Sequence, residues 1–201
     1  ERLLYSMKIA NSGLDLPQGK VRYNDRIFAD LAEKFQPEKT SPYYVEFLLD
    51  DFEAASAIAI AHSNLLDLLI LDMEKIENRL TKAGDESEIT ALEKCLTHLE
   101  GEKPVCDLSM SGGEQAIVDA FGLLSSKPTA VFEDTSLDTD GVSHAVMEKA
   151  QKMFFYTVGK QEVHAWLVNK GVDAVTCAAE IHSDLARGFI KAELVSCKDM
   201  L

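Results

Sequence analysis

Closely spaced cysteines and long apolar runs are both missing from this sequence. Its four cysteines are far apart and form no CxxC pair: Cys95, Cys106, Cys177 and Cys197. A zinc site needs clustered ligands and a disulfide scaffold needs a higher cysteine density, so we expect free thiols and no metal site. Acidic residues interrupt every apolar stretch well before it reaches bilayer length, which predicts that no segment spans a membrane.

Positive charge is also scarce. The 201 residues contain 34 acidic and 20 basic side chains, which gives a net charge of −14. Such a field repels phosphate backbones, so it disfavours direct nucleic-acid binding, although that function stays open, and it favours a basic partner. The first residues lack the apolar core of a secretory signal, and with the free thiols this predicts a cytoplasmic protein.

Apolar periodicity predicts an alternation of strands and helices in the first part of the chain. Residues 7–10 are predicted to form a short strand, and the apolar β-prone runs 43–48 and 56–61 resemble strands that are buried on both faces, as in a parallel sheet. A helical stripe over 25–35 begins at Asp25, a residue type that caps helices. The pattern is therefore that of an α/β protein.

The middle of the chain carries two amphipathic helices. Leucines, Ile70, Met73 and Ile76 mark one stripe that ends near Leu80, and a second stripe runs from Ile89 to Leu99. The polar turn around Gly84 joins them, which predicts an antiparallel hairpin. Ser111 and Glu114, three residues apart, predict a capping box at the start of a further helix.

The pattern of apolar residues changes near Met153. Strands are predicted at 154–158 and 163–168, followed by a helix at 174–186 and a third strand at 189–195. This ββαβ order predicts a compact module with its helix packed across a small sheet.

The loop from Gly13 to Val21 resembles a nucleotide phosphate loop but lacks the glycine spacing and the metal-binding hydroxyl of that motif. Five residues instead of four separate Gly13 from Gly19, Pro17 removes an amide donor, and Val21 cannot coordinate Mg²⁺. Gly13, Gly19 and Lys20 are the candidate remnant of a phosphate site. No other set of residues forms a catalytic constellation, so we expect no catalytic residues.

The C-terminal part resembles the TGS module of the YchF/Obg-like ATPase family. The resemblance rests on FFYTVGKQEVHAW at 154–166 and IHSDLARGFIKAE at 181–193. Three further regions agree in order with that family: 31–47, 71–96 and 124–129. The family's module continues past the position of Leu201, so the resemblance implies that the module here is incomplete.

The resemblance implies three parts. A reduced GTPase-like α/β domain would span 7–61 and 104–152, a helical hairpin would occupy 62–103, and a β-grasp TGS-like module would occupy 153–201. The departures from the family concern its nucleotide site. The first helix and switch I have no counterpart after Lys20, the DxxG of switch II is absent after Phe47, and Asp134 and Leu137 stand where the family reads the base.

These departures predict a non-catalytic pseudo-GTPase without a cofactor, acting as a binding or regulatory protein. By resemblance its partner would be the ribosome or a ribosomal protein. Lys170, Arg187 and Lys191 are the candidate interaction residues of the TGS-like module. One alternative is an ATP- or GTP-binding protein, or weak NTPase, that uses an atypical loop; another is a small-ligand sensor that acts through the module.

Overall fold

The computed structural model describes residues 6–201, and residues 1–5, on which the prediction of no secretory signal partly rested, lie outside this range. The strands of the described chain are β1 Met7–Ser12, β2 Gly19–Arg22, β3 Lys39–Ser41, β4 Tyr44–Leu49, β5 Ala57–Ala61, β6 Thr129–Phe132, β7 Lys152–Val158 and β8 Glu162–Asn169. The α-helices are α1 Arg26–Phe35, α2 His62–Leu80, α3 Glu86–Glu100, α4 Gly112–Phe121, α5 Thr139–Lys149, α6 Ala174–Ile181, α7 Ser183–Arg187 and α8 Cys197–Met200. The described chain also contains two 3₁₀ turns, η1 Val105–Asp107 and η2 Leu124–Ser126.

The larger sheet has the order β2-β4-β1-β5-β6. β1 runs parallel to β4 and β5, and β6 runs parallel to β5, while β2 pairs antiparallel with β4 at one edge. All five residues of β5 are buried, as its apolar run predicts for a central strand covered on both faces. The predicted α/β class with a mostly parallel sheet is confirmed.

The α2–α3 pair packs on one face of this sheet. Leu68, Leu69 and Ile76 of α2 and Leu92 of α3 are fully buried in the same core cluster as Ile58 of β5. Asp85 caps α3 by accepting a hydrogen bond from the backbone N–H of Glu88 at 2.9 Å. None of the helices in the described part of the chain is both long and apolar enough to cross a bilayer.

A buried carboxylate fixes α2 against the start of β6. Asp72, which is fully buried, accepts hydrogen bonds from the backbone N–H groups of Leu124 at 2.7 Å and Ser125 at 2.8 Å. These are the first groups of η2, and a buried N–H without an acceptor is costly. Asp72, although it lies in the apolar stripe of α2, therefore acts as an internal cap: it caps the start of η2 from inside the protein.

The smaller sheet differs from its prediction. Its order is β3-β8-β7, so the third strand comes from 39–41, which pair parallel with β8. The predicted strand at 189–195 is wrong: this segment forms neither helix nor strand, and Ile190 is 91% exposed. β3 already occupies the second edge of β8, where Lys39 and Ser41 hold Glu162 at 2.9 and 2.5 Å.

The prediction of one continuous helix at 174–186 is also wrong, because the structure has two short helices there. His182 has φ −163° and ψ 138°, which are extended values, and it divides the segment into α6 and α7. The His182 side chain accepts a hydrogen bond from the N–H of Asp184 at 3.1 Å and so caps α7. A local side-chain cap competes here with continuation of the helix.

Aromatic side chains join the two sheets. Phe154 of β7 stacks on Tyr23 with ring centroids 5.6 Å apart and meets Tyr43 edge-on at 5.3 Å. Burial raises the pKa of Tyr43 to about 12, although its hydroxyl accepts a hydrogen bond from the N–H of Met7 at 2.8 Å. The Tyr156 hydroxyl donates to Asp25, the residue that caps α1. Asp25 thereby orders α1 and contacts the smaller sheet.

Candidate functional site

Open parallel sheets bind ligands beyond the carboxyl ends of their strands. At that edge of the larger sheet, β1 ends at Ser12 beside the first turn of α2. The Asn64 amide of that turn donates to the Ser12 hydroxyl at 3.4 Å, and His62 lies 3.8 Å from Glu133 beyond β6. The carboxyl end of β1 is therefore the position at which this fold would hold a ligand.

Gly13 lies at this edge, and the side chains of Asn64 and Ala61 leave no space for a side chain there. A Cβ built at Gly13 would lie 2.7 Å from the Asn64 side-chain oxygen and 2.8 Å from the Ala61 Cβ. Its φ of +75° is in the left-handed region, which favours glycine. Glycine is therefore required here for close packing on α2.

The interior of the loop is filled by its own side chains. Leu14 is 7% exposed, and Leu16 packs against the same core. The Asn11 amide donates to the Leu14 carbonyl at 3.1 Å, which holds the loop over the end of β1. A phosphate loop instead leaves a hollow lined by backbone amides.

The residues that follow the loop form a strand. Gly19 and Lys20 open β2, in register with Phe47 and Glu46 of β4. A phosphate site depends on a helix whose N-terminal amides face the anion. Here the connection is strand–loop–strand, and the exposed Lys20 lies on a face of the sheet. The residues present therefore do not fit a nucleotide phosphate in the manner of a phosphate loop.

Asp134 and Leu137, which the resemblance placed at the family's base-recognition positions, are ordinary turn residues in the structure. Asp134 accepts hydrogen bonds from the N–H and hydroxyl of Ser136 at 2.9 and 2.6 Å, and these bonds lower the pKa of its carboxyl. Leu137 is 39% exposed and carries no polar side chain. Asp138 then caps α5 through the N–H of Gly141 at 2.8 Å.

The candidate interaction residues of the C-terminal part each have an acidic neighbour. Lys170 lies 3.0 Å from Glu148, Arg187 lies 2.6 Å from Asp184, and Lys191 lies 3.8 Å from Glu193. Their positive charge is therefore largely balanced within the chain.

The capping box predicted from Ser111 and Glu114 is confirmed. Ser111 donates its N–H to Glu114 at 2.7 Å, and this bond and the Lys94 ammonium group lower the pKa of Glu114 to about 2. All four cysteines are free thiols. Within residues 6–201, no group of three or more His, Cys, Asp and Glu side chains is placed to hold a metal ion.

Three stacked rings lie on the face of the smaller sheet that points away from α1, and the sequence did not predict them. The rings of His164 and Trp166 lie 3.8 Å apart, and Phe155 stacks on Trp166 at 6.2 Å. The Trp166 indole donates to the Thr157 hydroxyl at 3.0 Å, while burial lowers the pKa of His164. The spacing of two residues between His164 and Trp166, and between Phe155 and Thr157, could have predicted that these side chains share one face of the sheet.

Known proteins are similar to this chain along much of its length. The C-terminal YchF-GTPase family, described as a protein of unknown function (DUF933), matches residues 153–201. The ribosome-binding ATPase YchF of Bacillus subtilis is 28% identical over 202 aligned residues, which cover 68% of this chain and 55% of that protein. The chain is therefore similar to YchF proteins, with a family match in its C-terminal part.

Two further YchF proteins are similar to the chain, one in sequence and one in structure. The Mycoplasma genitalium ribosome-binding ATPase YchF is 29% identical over 143 residues, which cover 71% of this chain and 35% of that protein. The solved structure of the Schizosaccharomyces pombe YchF GTPase superposes with a TM-score of 0.71 at 16% identity, over 92% of this chain and 86% of that one. That likeness shows the YchF fold.

The match to these YchF proteins is partial in length. The chain spans about half the length of the Bacillus subtilis relative, 55% of it. The names of the relatives describe ATPases that bind ribosomes. Which of these properties the present chain retains depends on its own residues.

Proposed function

We propose that this YchF-like protein is a pseudo-GTPase that works by contact, as a binding or regulatory protein associated with the ribosome in the cytoplasm, and that it neither hydrolyses nucleotide nor needs a cofactor. The observation that carries the proposal is the course of the chain after Gly13. It runs through a leucine-filled turn into β2, where Gly19 and Lys20 pair with β4. A phosphate loop would lead into a helix.

Two further observations support the loss of nucleotide chemistry. Asn64 and Ala61 lie against Gly13, where a phosphate would need open space. Asp134 is engaged by Ser136 and Leu137 is apolar, so neither supplies the contacts expected of a base-reading Asn and Glu. These are separate elements of the site, and the loss of each weakens binding independently.

The ribosomal partner is taken from the names of the relatives. In this proposal the hairpin at 62–103 and the TGS-like module at 153–201 carry the contact surfaces, held by the reduced GTPase-like domain at 7–61 and 104–152. With a net charge of −14, contact with a basic ribosomal protein is favoured over broad contact with ribosomal RNA.

The alternative is an ATP- or GTP-binding protein that uses an unusual loop, and the relatives' naming as ATPases favours it. Two measurements on one preparation separate the proposals. Sedimentation through a sucrose cushion with ribosomes tests contact, and release of phosphate from ATP and GTP tests hydrolysis. We expect co-sedimentation that is unchanged by nucleotide and no phosphate release above that of buffer. Nucleotide-dependent sedimentation or catalytic phosphate release would overturn the proposal.

A further inference from the structure

One end of the larger sheet has a face without a helix over it. The crossover from β1 to its parallel neighbour β4 contains α1, but α1 packs against β7 and β8 of the smaller sheet. Further along the same face, α2 packs on β5 and β6. Crossover helices usually cover both faces of a parallel sheet. The face over β2, β4 and the start of β1 is the part left open.

Basic residues and a tyrosine occupy this open face. Register places Lys8 of β1 and Lys20 of β2 on either side of Glu46, and Arg22 opposite Tyr44. Paired residues of neighbouring strands share a face and lie about 5 Å apart. These five side chains, here called the basic sheet face, therefore form one patch. Tyr44 is 41% exposed, and the three cations are exposed.

No ion pair within the described chain neutralises the three cations of the basic sheet face. Among residues 6–201, Lys8, Lys20 and Arg22 have no carboxylate within ion-pair distance. Glu46 is the one acid of the patch, and it accepts a hydrogen bond from Ser6 at 3.4 Å. The patch therefore holds three cations against one carboxylate, in a chain with 34 acidic and 20 basic residues.

An exposed aromatic ring among cations on a sheet face suits a particular ligand. Single-stranded RNA offers bases that stack on aromatic rings and phosphates that pair with Lys and Arg. An A-form duplex would present phosphates, hydroxyls and base edges, but no base face free to stack on Tyr44. An acidic peptide would match the charge but would leave the ring without a stacking partner.

We propose that the basic sheet face binds a short single-stranded segment of RNA. Tyr44 stacks on one base, and Lys8, Lys20 and Arg22 contact the flanking phosphates. The negative charge of the rest of the protein confines binding to this patch, so the complex covers only a few nucleotides and is weakened steeply by salt. The inference rests on the proposed function, since it names which part of a ribosomal partner this face would touch.

Fluorescence anisotropy with a labelled ten-nucleotide uridine RNA tests the proposal without a ribosome. The test variant is Lys20→Gln with Arg22→Gln, and the matched control is Lys82→Gln with Lys103→Gln, two exposed lysines outside the patch. We expect the test variant to bind at least tenfold more weakly at 50 mM salt and the control to stay within twofold of the parent chain. The slope of log affinity against log salt should become shallower by about 1.4, because the test variant no longer neutralises two phosphates of the single strand.

Tyr44→Leu separates stacking from charge. We expect RNA binding to weaken about fivefold with the salt slope unchanged, because stacking does not release counterions. Equal melting temperatures of the variants confirm that each one is folded.

Three results would overturn the proposal: no RNA binding by the parent chain, equal loss in the control variant, or displacement of the RNA by a ten-residue polyglutamate at equal concentration. The last would assign the face to an acidic protein segment. Because the probe is free RNA, failure here with intact ribosome sedimentation removes this inference alone. Loss of sedimentation with intact RNA binding removes the proposed function alone.

Discussion

Gly13 and Asn64 pack so closely that no side chain fits between them. The Asn64 side-chain oxygen would lie 2.7 Å from a Cβ at Gly13, and the same side chain contacts Ser12. This ties the end of β1 to the first turn of α2. A glycine of a phosphate loop instead lets the backbone approach a phosphate. Packing against α2 and a left-handed backbone therefore require glycine at this position.

Replacing Gly13 by Ala should destabilise the fold strongly. The new Cβ would clash with Asn64 and Ala61, and the φ of +75° would be strained. We expect the free energy of unfolding to fall by about 2–4 kcal/mol, measured by urea denaturation. Gly19→Ala is the control, because its φ is +97° but no atom lies within 4 Å of the added Cβ. Its loss should be only about 1–2 kcal/mol, from strain alone. Equal losses would contradict the packing role.

Asp72 should matter more than any exposed acid of α2. Asp72→Ala removes the acceptor of two backbone N–H groups, on Leu124 and Ser125, and leaves them buried without a partner. We expect a loss of about 2–4 kcal/mol in the free energy of unfolding. Asp67→Ala, an exposed change on the same helix, should stay within about 0.5 kcal/mol. Similar losses for the two variants would show that Asp72 is not an internal cap.

His164 should make stability depend on pH in the neutral range. Burial lowers its pKa in the folded state, whereas in the unfolded chain it titrates near pH 6.5. The unfolded state therefore takes up the proton first, and the free energy of unfolding falls as pH drops below about 6.5. Neighbouring Glu162 opposes this effect, and Lys39 adds to it.

Urea denaturation at pH 7.5 and pH 5.5 measures the difference, and His164→Gln should reduce it. The corresponding change at the exposed His144 is the control and should leave the difference as in the parent chain. A pH difference that survives in His164→Gln would assign the effect to other groups.

The segment 189–195 should contribute little to stability. Ile190 and Leu194 are 91% and 84% exposed, so replacing either by Ser should change the free energy of unfolding by no more than about 0.5 kcal/mol. Val163→Ala, a fully buried change in β8, should cost about 1–2.5 kcal/mol. Hydrogen exchange should show unprotected amides at 190–195. Strong protection there would mean that the segment pairs as a strand after all.

The sequence predicted the elements whose signal is local. The stripes of α2 and α3, the cap at Asp25 and the capping box at Ser111 depend on residues a few positions apart, and the structure contains each. The buried run at 57–61 was sufficient to predict a central parallel strand.

Pairing between distant segments could not be predicted in the same way. Residues 189–195 have strong β-propensity, but a strand needs a free neighbouring edge, and the short segment 39–41 occupies the edge of β8. β2 was not predicted, because its first residues were interpreted as the end of a damaged phosphate loop. Likewise, the basic sheet face exists only through the register of β1, β2 and β4, which joins Lys8 to Lys20 and Arg22.

Isothermal titration with ATP and with GTP, each with and without Mg²⁺, tests the central claim most directly. A loop filled by Leu14 and followed by a strand should give no saturable heat at nucleotide concentrations up to about 1 mM, the range of affinities near −4 kcal/mol. Micromolar binding of either nucleotide that is lost in Lys20→Ala would contradict the account, because it would restore Lys20 as a phosphate ligand.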